Sequence, residues 1–196
     1  MLILLIIWFF IPMYKEPRII KKVLNDEECD QIRQIASSSL KKSMVIDIVN
    51  GGKMLTEGRK SENTYIHSST NPVVEKLIRK CLRWIDRPFE NCEMLQVTKY
   101  LPGGFYLPHF DTCSTFEPNN RMYTFIIALN DGYEGGYTNF PNLGKKYKMR
   151  KGDALLFNLF DNYKRHTEKA FHGGTEVTSG EKWICNLWVH EHNYGQ

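Results

Sequence analysis

His109-Phe110-Asp111 sets an imidazole and a carboxylate two residues apart. On a β-strand that spacing turns both side chains to one face, where they can converge on a single ion. An HxD triplet arises often by chance, so a metal site needs a third ligand from elsewhere. His172, 61 positions after Asp111, is the best candidate. Two imidazoles and one carboxylate on one side of a metal leave the opposite positions open. That arrangement favours non-haem Fe(II) and oxygen chemistry over a closed structural zinc site. Ten positions after His172, Lys182 opens the apolar run Lys182–His190. An ammonium turned inward there needs an anion. A dicarboxylic co-substrate would supply one, with its distal carboxylate on Lys182 and its 2-oxo acid end on the metal. Tyr100 and Thr138 can add hydroxyl hydrogen bonds.

Other chemistry finds less support. His67, His166 and His192 read as surface or core residues. No Gly-x-Ser-x-Gly elbow or CGxCW-like run occurs, so nucleophilic acyl transfer lacks its constellation. The five cysteines (Cys29, Cys81, Cys92, Cys113, Cys185) are scattered and contain no CxxC pair, which indicates neither a zinc site nor a disulfide framework.

The elements that must hold these residues are two helices and then strands. Asn25 and Asp26 can cap a helix through about Lys41, with Cys29, Ile32, Ile35 and Ala36 on one side. Residues 47–60, with Gly51, Gly52 and Gly58, read as a loop or irregular hairpin. Asn71 is a good cap and Pro72 suits a first helical position. Val74, Leu77, Ile78, Cys81, Leu82 and Ile85 follow at the spacing of one helical face. From Cys92 onward the pattern predicts strands at 93–100, 105–110, 122–130, 136–140, 145–149, 153–159, 166–172 and 182–191. The run Tyr123–Leu129 is nearly all apolar and suits a strand covered on both faces. About eight strands after two helices predict a mainly β (α+β) double-sheet sandwich with the helices packed outside.

With 196 residues and 42% apolar content, the chain suits one domain with a real core. Its formal charge of +4 reads as spread along the chain and is weak evidence for a nucleic-acid partner. Residues 1–13 stand apart from the domain at 14–196. The run MLILLIIWFFIP is shorter than the roughly 17–25 residues that span a bilayer. It fits a signal, a membrane-associated segment or a terminus packed on the body, and Lys15, Arg18, Lys21 and Lys22 just beyond it suit a surface anchor.

Read in order, the chain resembles the prolyl 4-hydroxylase family of Fe(II)/2-oxoglutarate dioxygenases from about Asn25 to Glu191. The pieces are Arg59-x-Ser61, Gln96-x-x-x-Tyr100, Gly103, Tyr106, His109-x-Asp111, Arg121-x-x-Thr124 and Gly135-Gly136-x-Thr138-x-Phe140-Pro141. Lys151-Gly152, Phe157-Asn158, His172, Val177-x-x-Gly180-x-Lys182-Trp183 and Trp188 follow. Two positions depart from the family's habit: Tyr137 stands where an acidic residue is usual, and Glu176 where a proline is usual. Neither is a metal or co-substrate position.

The resemblance implies a double-stranded β-helix of the jelly-roll, cupin-like kind. It implies iron on His109, Asp111 and His172, and 2-oxoglutarate on Lys182, Tyr100 and Thr138. Tyr106, Arg121, Trp188 and His190 would face the peptide. O2 would be the second co-substrate and L-ascorbate the reductant. The expected activity is hydroxylation of proline in a peptide or protein to 4-hydroxyproline, with succinate and CO2. The alternatives are the same machinery on a lysyl residue or nucleobase, and an inactive peptide-binding jelly-roll. No nucleic-acid partner is expected. Residues 1–12 leave open an endoplasmic-reticulum, membrane-associated or cytoplasmic setting, and the oligomeric state is open too.

Overall fold

The computed structural model describes residues 13–46, 53–54, 56–112 and 118–195. In chain order, β1 (Arg18–Ile20) leads into α1 (Asp26–Ser37). Short strands β2 (Lys41–Lys42), β3 (Val45–Ile46), β4 (Lys53–Met54), β5 (Arg59–Lys60) and β6 (Glu62–Ile66) precede α2 (Pro72–Leu82). Then come β7 (Leu95–Tyr100), β8 (Phe105–His109), β9 (Arg121–Ala128), β10 (Tyr133–Gly135), β11 (Thr138–Phe140), β12 (Lys145–Tyr147) and β13 (Ala154–Asn158). β14 (His172–Gly174), β15 (Val177–Gly180) and β16 (Lys182–His190) complete the chain.

Two antiparallel sheets face each other, as predicted. The larger runs β1-β13-β9-β16-β7-β6-β2 and the smaller β12-β11-β14-β8-β5. Strands β8, β9, β11, β13, β14 and β16 go alternately to the small and the large sheet, which is the winding of a double-stranded β-helix.

The strand period of two sorts side chains between two cores. Phe125, Ile127, Cys185, Leu187, Val189, Leu95 and Val97 leave the large sheet on one side and meet Cys29, Ile32, Ala36, Val74, Leu77, Ile78 and Cys81 of the helices. Ile126, Ala128 and Ile184 point the other way, between the sheets, to Phe140, Phe157 and Leu155. Truncating a helix residue as buried as Leu77 to alanine would cost about 2–5 kcal/mol. Cys29, Cys81, Cys92 and Cys185 are buried in this packing.

The helices differ from expectation at their ends. Asn25 accepts from the Glu28 amide at 2.8 Å and the Glu28 carboxylate accepts from the Asn25 amide at 2.9 Å, a capping box. Glu28 also binds Lys76 and Lys80, tying α1 to α2, and its carboxyl is lowered to about 2. Burial opposes that shift, but the lysines and the Asn25 amide outweigh it. The helix stops at Ser37 rather than near Lys41. Ser37 and Ser39 hydroxyls bond local carbonyls of Gln34 and Ala36, and Lys41–Lys42 pair with β6 instead. Pro72 begins α2 as expected, although the Asn71 side chain makes no cap bond.

Within the predicted strand 166–172, Glu168–Ala170 form a 3-10 turn capped by Thr167, and the strand starts only at His172. Part of the predicted 47–60 loop, 47–52 and 55, lies outside the described residues, as does the 1–12 segment. Among the described residues no helix is long and apolar enough to cross a membrane.

Candidate metal and co-substrate site

β8 and β14 lie side by side with His109 directly opposite His172. That close pairing depends on Gly173, where a Cβ would sit 2.8 Å from the backbone of Tyr106 and Pro108. Asp111 follows β8, and one ligand atom from each of His109, Asp111 and His172 lies within 4.8 Å of the others. The Nε2 atoms of His109 and His172 stand 3.6 and 3.7 Å from the two Asp111 carboxylate oxygens.

The tautomers suit a cation. His109 Nδ1 donates to the Leu107 carbonyl at 2.9 Å and His172 Nδ1 to the Ala170 carbonyl at 3.0 Å. A carbonyl only accepts, so each ring carries its proton on Nδ1 and presents the Nε2 lone pair to the centre. Burial pushes His172 down to about 4, with Asp111 opposing, so the ring is neutral at physiological pH. Burial alone would raise the Asp111 carboxyl, but His172, His109 and Arg121 hold it well below the usual range. Thr124 Oγ1 donates to Asp111 Oδ2 at 2.7 Å and fixes its orientation. This donor set fits a divalent metal of the 2-His-1-carboxylate kind.

Lys182 is 3% exposed and begins β16 opposite Tyr100 of β7. Its ammonium donates to the Gly136 carbonyl at 2.7 Å. Gly136 has φ +61°, and a Cβ there would press on the Lys182 side chain at 3.1 Å. No carboxylate pairs with Lys182 among the described residues, and burial lowers its pKa to about 8. An ammonium so placed is completed by an anionic guest. Tyr100 and Thr138, 5% and 3% exposed, join it in the lining of one cavity of about 360 Å³, which the three metal-site residues also line. That volume suits a small ligand bound beside a peptide side chain.

Tyr106, Arg121 and Trp188 line the same cavity. Tyr106 stacks on His109, ring centroids 3.7 Å apart, with the Arg59 guanidinium 4.5 Å above its ring. Arg121 lies 3.9 Å over the Trp188 ring and donates to the Asp111 carbonyl at 3.0 Å. Its other contacts go to Glu93, through Nε to Oε1 and through Nη2 to Oε2 at 2.9 Å. His190 stands one step back from the cavity. Its Nε2 meets Glu93 Oε1 at 2.7 Å and its Nδ1 the Asn119 carbonyl at 2.8 Å. Burial opposes the charge on Glu93, yet His190 and Arg121 hold its pKa below the ordinary value.

Sequence reasoning did not single out Glu93. Its signal was an acid just before an apolar strand. Thr124 was equally legible as the one threonine in the apolar run Tyr123–Leu129. Tyr65, Gln96 and Asn186 form a further polar row on the cavity wall, with the Gln96 amide donating to the Tyr65 hydroxyl at 2.7 Å and accepting from Asn186 at 3.0 Å.

Comparison with known proteins agrees with this geometry. The 2OG-Fe(II) oxygenase superfamily description matches residues 95–190, the stretch that holds the triad and Lys182. A prolyl 4-hydroxylase relative of Acanthamoeba polyphaga mimivirus is 36% identical over 191 residues, covering 92% of this chain and 76% of that protein. Prolyl 4-hydroxylase 1 of Arabidopsis thaliana is 31% identical, covering 89% and 69%. Among solved structures, the viral collagen prolyl hydroxylase of Paramecium bursaria Chlorella virus-1 in its 2OG complex superposes with a TM-score of 0.74 at 29% identity, covering 90% of this chain and 96% of that one. A jelly-roll that brings two imidazoles, a carboxylate and a buried lysine into one cavity thus carries sequence kinship over nearly its full described length, and the chain belongs to the prolyl 4-hydroxylase family of Fe(II)- and 2-oxoglutarate-dependent dioxygenases.

Proposed function

We propose that His109, Asp111 and His172 hold Fe(II), that Lys182 pairs with the distal carboxylate of 2-oxoglutarate, and that proline in a peptide is hydroxylated at the mouth beside them. The observation that carries this reading is the one cavity in which an Nε2-presenting His pair, an ionised Asp111 and an anion-seeking Lys182 all open. The chemistry supplied at that centre is oxidation of a proline C–H to C–OH by O2, coupled to conversion of 2-oxoglutarate to succinate and CO2, with ascorbate as reductant.

The chain's own residues bind, orient and exclude water. Lys182 neutralises one end of the co-substrate in a site walled by Ile126 and Ile184, where a charge-assisted bond is strong. Tyr100 and Thr138 flank it with hydroxyls. At the outer end, the rings of Tyr106 and Trp188 offer flat apolar faces to a proline ring. Glu93 holds Arg121 in one orientation, so its guanidinium braces the Asp111 backbone and the Trp188 ring beside a bound peptide. His190 acts through Glu93 on that same arginine.

The test is succinate release from 2-oxoglutarate with Fe(II), with and without a proline-rich peptide, followed by mass analysis of the peptide. Peptide-stimulated succinate with one added oxygen per hydroxylated proline is expected. Succinate release without peptide oxidation would move the activity to another substrate, and no release would leave a binding module.

A further inference from the structure

The +4 charge looks diffuse along the chain, yet the fold concentrates it. Residues 15–22 and 145–153 together hold nine Lys or Arg and two Asp or Glu, whereas the rest of the chain holds 17 against 20. These two segments are far apart in sequence and adjacent in space. β1 pairs with β13 at one edge of the large sheet, and β12 forms the matching edge of the small sheet. Tyr147 donates to the Pro17 carbonyl at 3.1 Å, Lys145 pairs with Glu16, and the Lys22 and Arg150 amides both donate to Asp153 at 3.1 and 3.3 Å. Of the two acids, Glu16 is paired and Asp153 is buried beneath Lys21. Lys15, Lys22, Lys146 and Arg150 are exposed with no carboxylate partner among the described residues.

We infer that this edge docks on an anionic lipid surface. Two observations favour lipid over another polyanion. The chain enters the edge at Met13 directly from the twelve-residue run MLILLIIWFFIP, so an apolar element and a basic face are continuous. A short apolar element alone gives weak membrane binding, and a basic face is the usual second contribution. The orientation also suits an enzyme acting on peptides. The outer cavity residues Met44, Thr56, Gly58, Arg59 and Tyr65 lie toward β5 and β6, at the opposite end of both sheets from β1 and β12. Docking by the basic edge leaves the mouth facing away from the membrane.

The experiment is flotation of the full chain with vesicles of phosphatidylcholine alone or with one-third phosphatidylserine, at low and high salt. Stronger binding to the anionic vesicles, weakened by salt, is expected. Replacing Lys22, Lys146 and Arg150 together by glutamine should weaken anionic-vesicle binding roughly a hundredfold, about fivefold for each charge. Lys41→Gln with Lys42→Gln, on β2 at the far edge of the large sheet, should change it little. Equal binding to both vesicle types, or an unaffected triple variant, would overturn the proposal, as would no binding at all. A duplex oligonucleotide run in parallel that binds more tightly than the anionic vesicles would reassign the edge to nucleic acid and also overturn it. Should the triple variant not fold, the composition and salt dependence of the unaltered chain still decide.

Discussion

The inner and outer parts of the cavity handle buried charge in opposite ways. At the inner end, Lys182 has a single carbonyl for its ammonium, and the two histidines turn unshared lone pairs to the centre. At the outer wall, Arg121 and His190 both bind Glu93, and the charge of that carboxylate is met within the fold. Unmet valence marks groups that wait for a guest, and met valence marks groups that shape a wall. Two clusters of similar composition therefore differ in what their loss should do.

The largest effect is expected at the centre. Alanine at His109, Asp111 or His172 should abolish succinate formation and weaken metal binding measured by calorimetry, while thermal unfolding changes little, because each would remove one of the three proposed ligands. Near-normal metal affinity in any one variant would take that residue out of the triad.

Glu93→Gln should behave the other way. Arg121 and His190 would lose the carboxylate they share, and breaking a largely buried ion pair from one side costs about 3–5 kcal/mol. Denaturant unfolding should show that loss, with 2-oxoglutarate affinity in the surviving folded protein nearly intact. A Glu93→Gln variant of undiminished stability would erase the distinction between wall and site.

Lys182→Met sharpens the contrast further. The buried ammonium has a pKa of about 8 against an ordinary 10.5, a cost to the ligand-free fold of about 3 kcal/mol below pH 8. The variant should therefore unfold at higher denaturant while losing 2-oxoglutarate binding. Loss of both stability and affinity would mean that Lys182 has an internal partner.

The smallest effect is in pH. Between about 8 and 10.5 the unfolded chain holds the Lys182 proton and the folded chain does not, so this group's contribution makes the ligand-free protein more stable as pH rises. In the same window the neutral amine cannot pair with a carboxylate, and 2-oxoglutarate affinity should fall about tenfold per unit. Titrating affinity from pH 7 to 9.5, with Lys182→Met as the reference, checks both signs. A flat affinity profile would separate co-substrate binding from this lysine.

Much of the inner end was legible before any coordinates. The spacing of two in His109-Phe110-Asp111 suggested both as ligands to one ion, although Asp111 lies just past the end of β8, and Lys182 opens an apolar strand where an ammonium has to be explained. The long strands were legible for the same reason, since burial on both faces leaves a continuous apolar run, as in Tyr123–Leu129. Short edge strands were not. β1, β2 and β5 carry two or three residues each, too few for any period to show, and they owe their form to the strands beside them. The 166–172 segment misled because Thr167 and Phe171 suit a strand, while the Thr167 side chain holds a 3-10 turn there.

The amino-acid sequence by itself determined which chemistry is available: two imidazoles, a carboxylate and a lysine in an order and spacing that strands can align. Local periodicity and residue type act over a few positions, and they suffice for that. Only the tertiary structure decided what each charge meets. It set Arg121 and His190 on Glu93, 28 and 97 positions away, left Lys182 without a carboxylate among the described residues, and gathered residues 15–22 and 145–153 into one basic edge. Electrostatic partnership depends on distance through space and on burial, and neither is written in the spacing of residues along a chain.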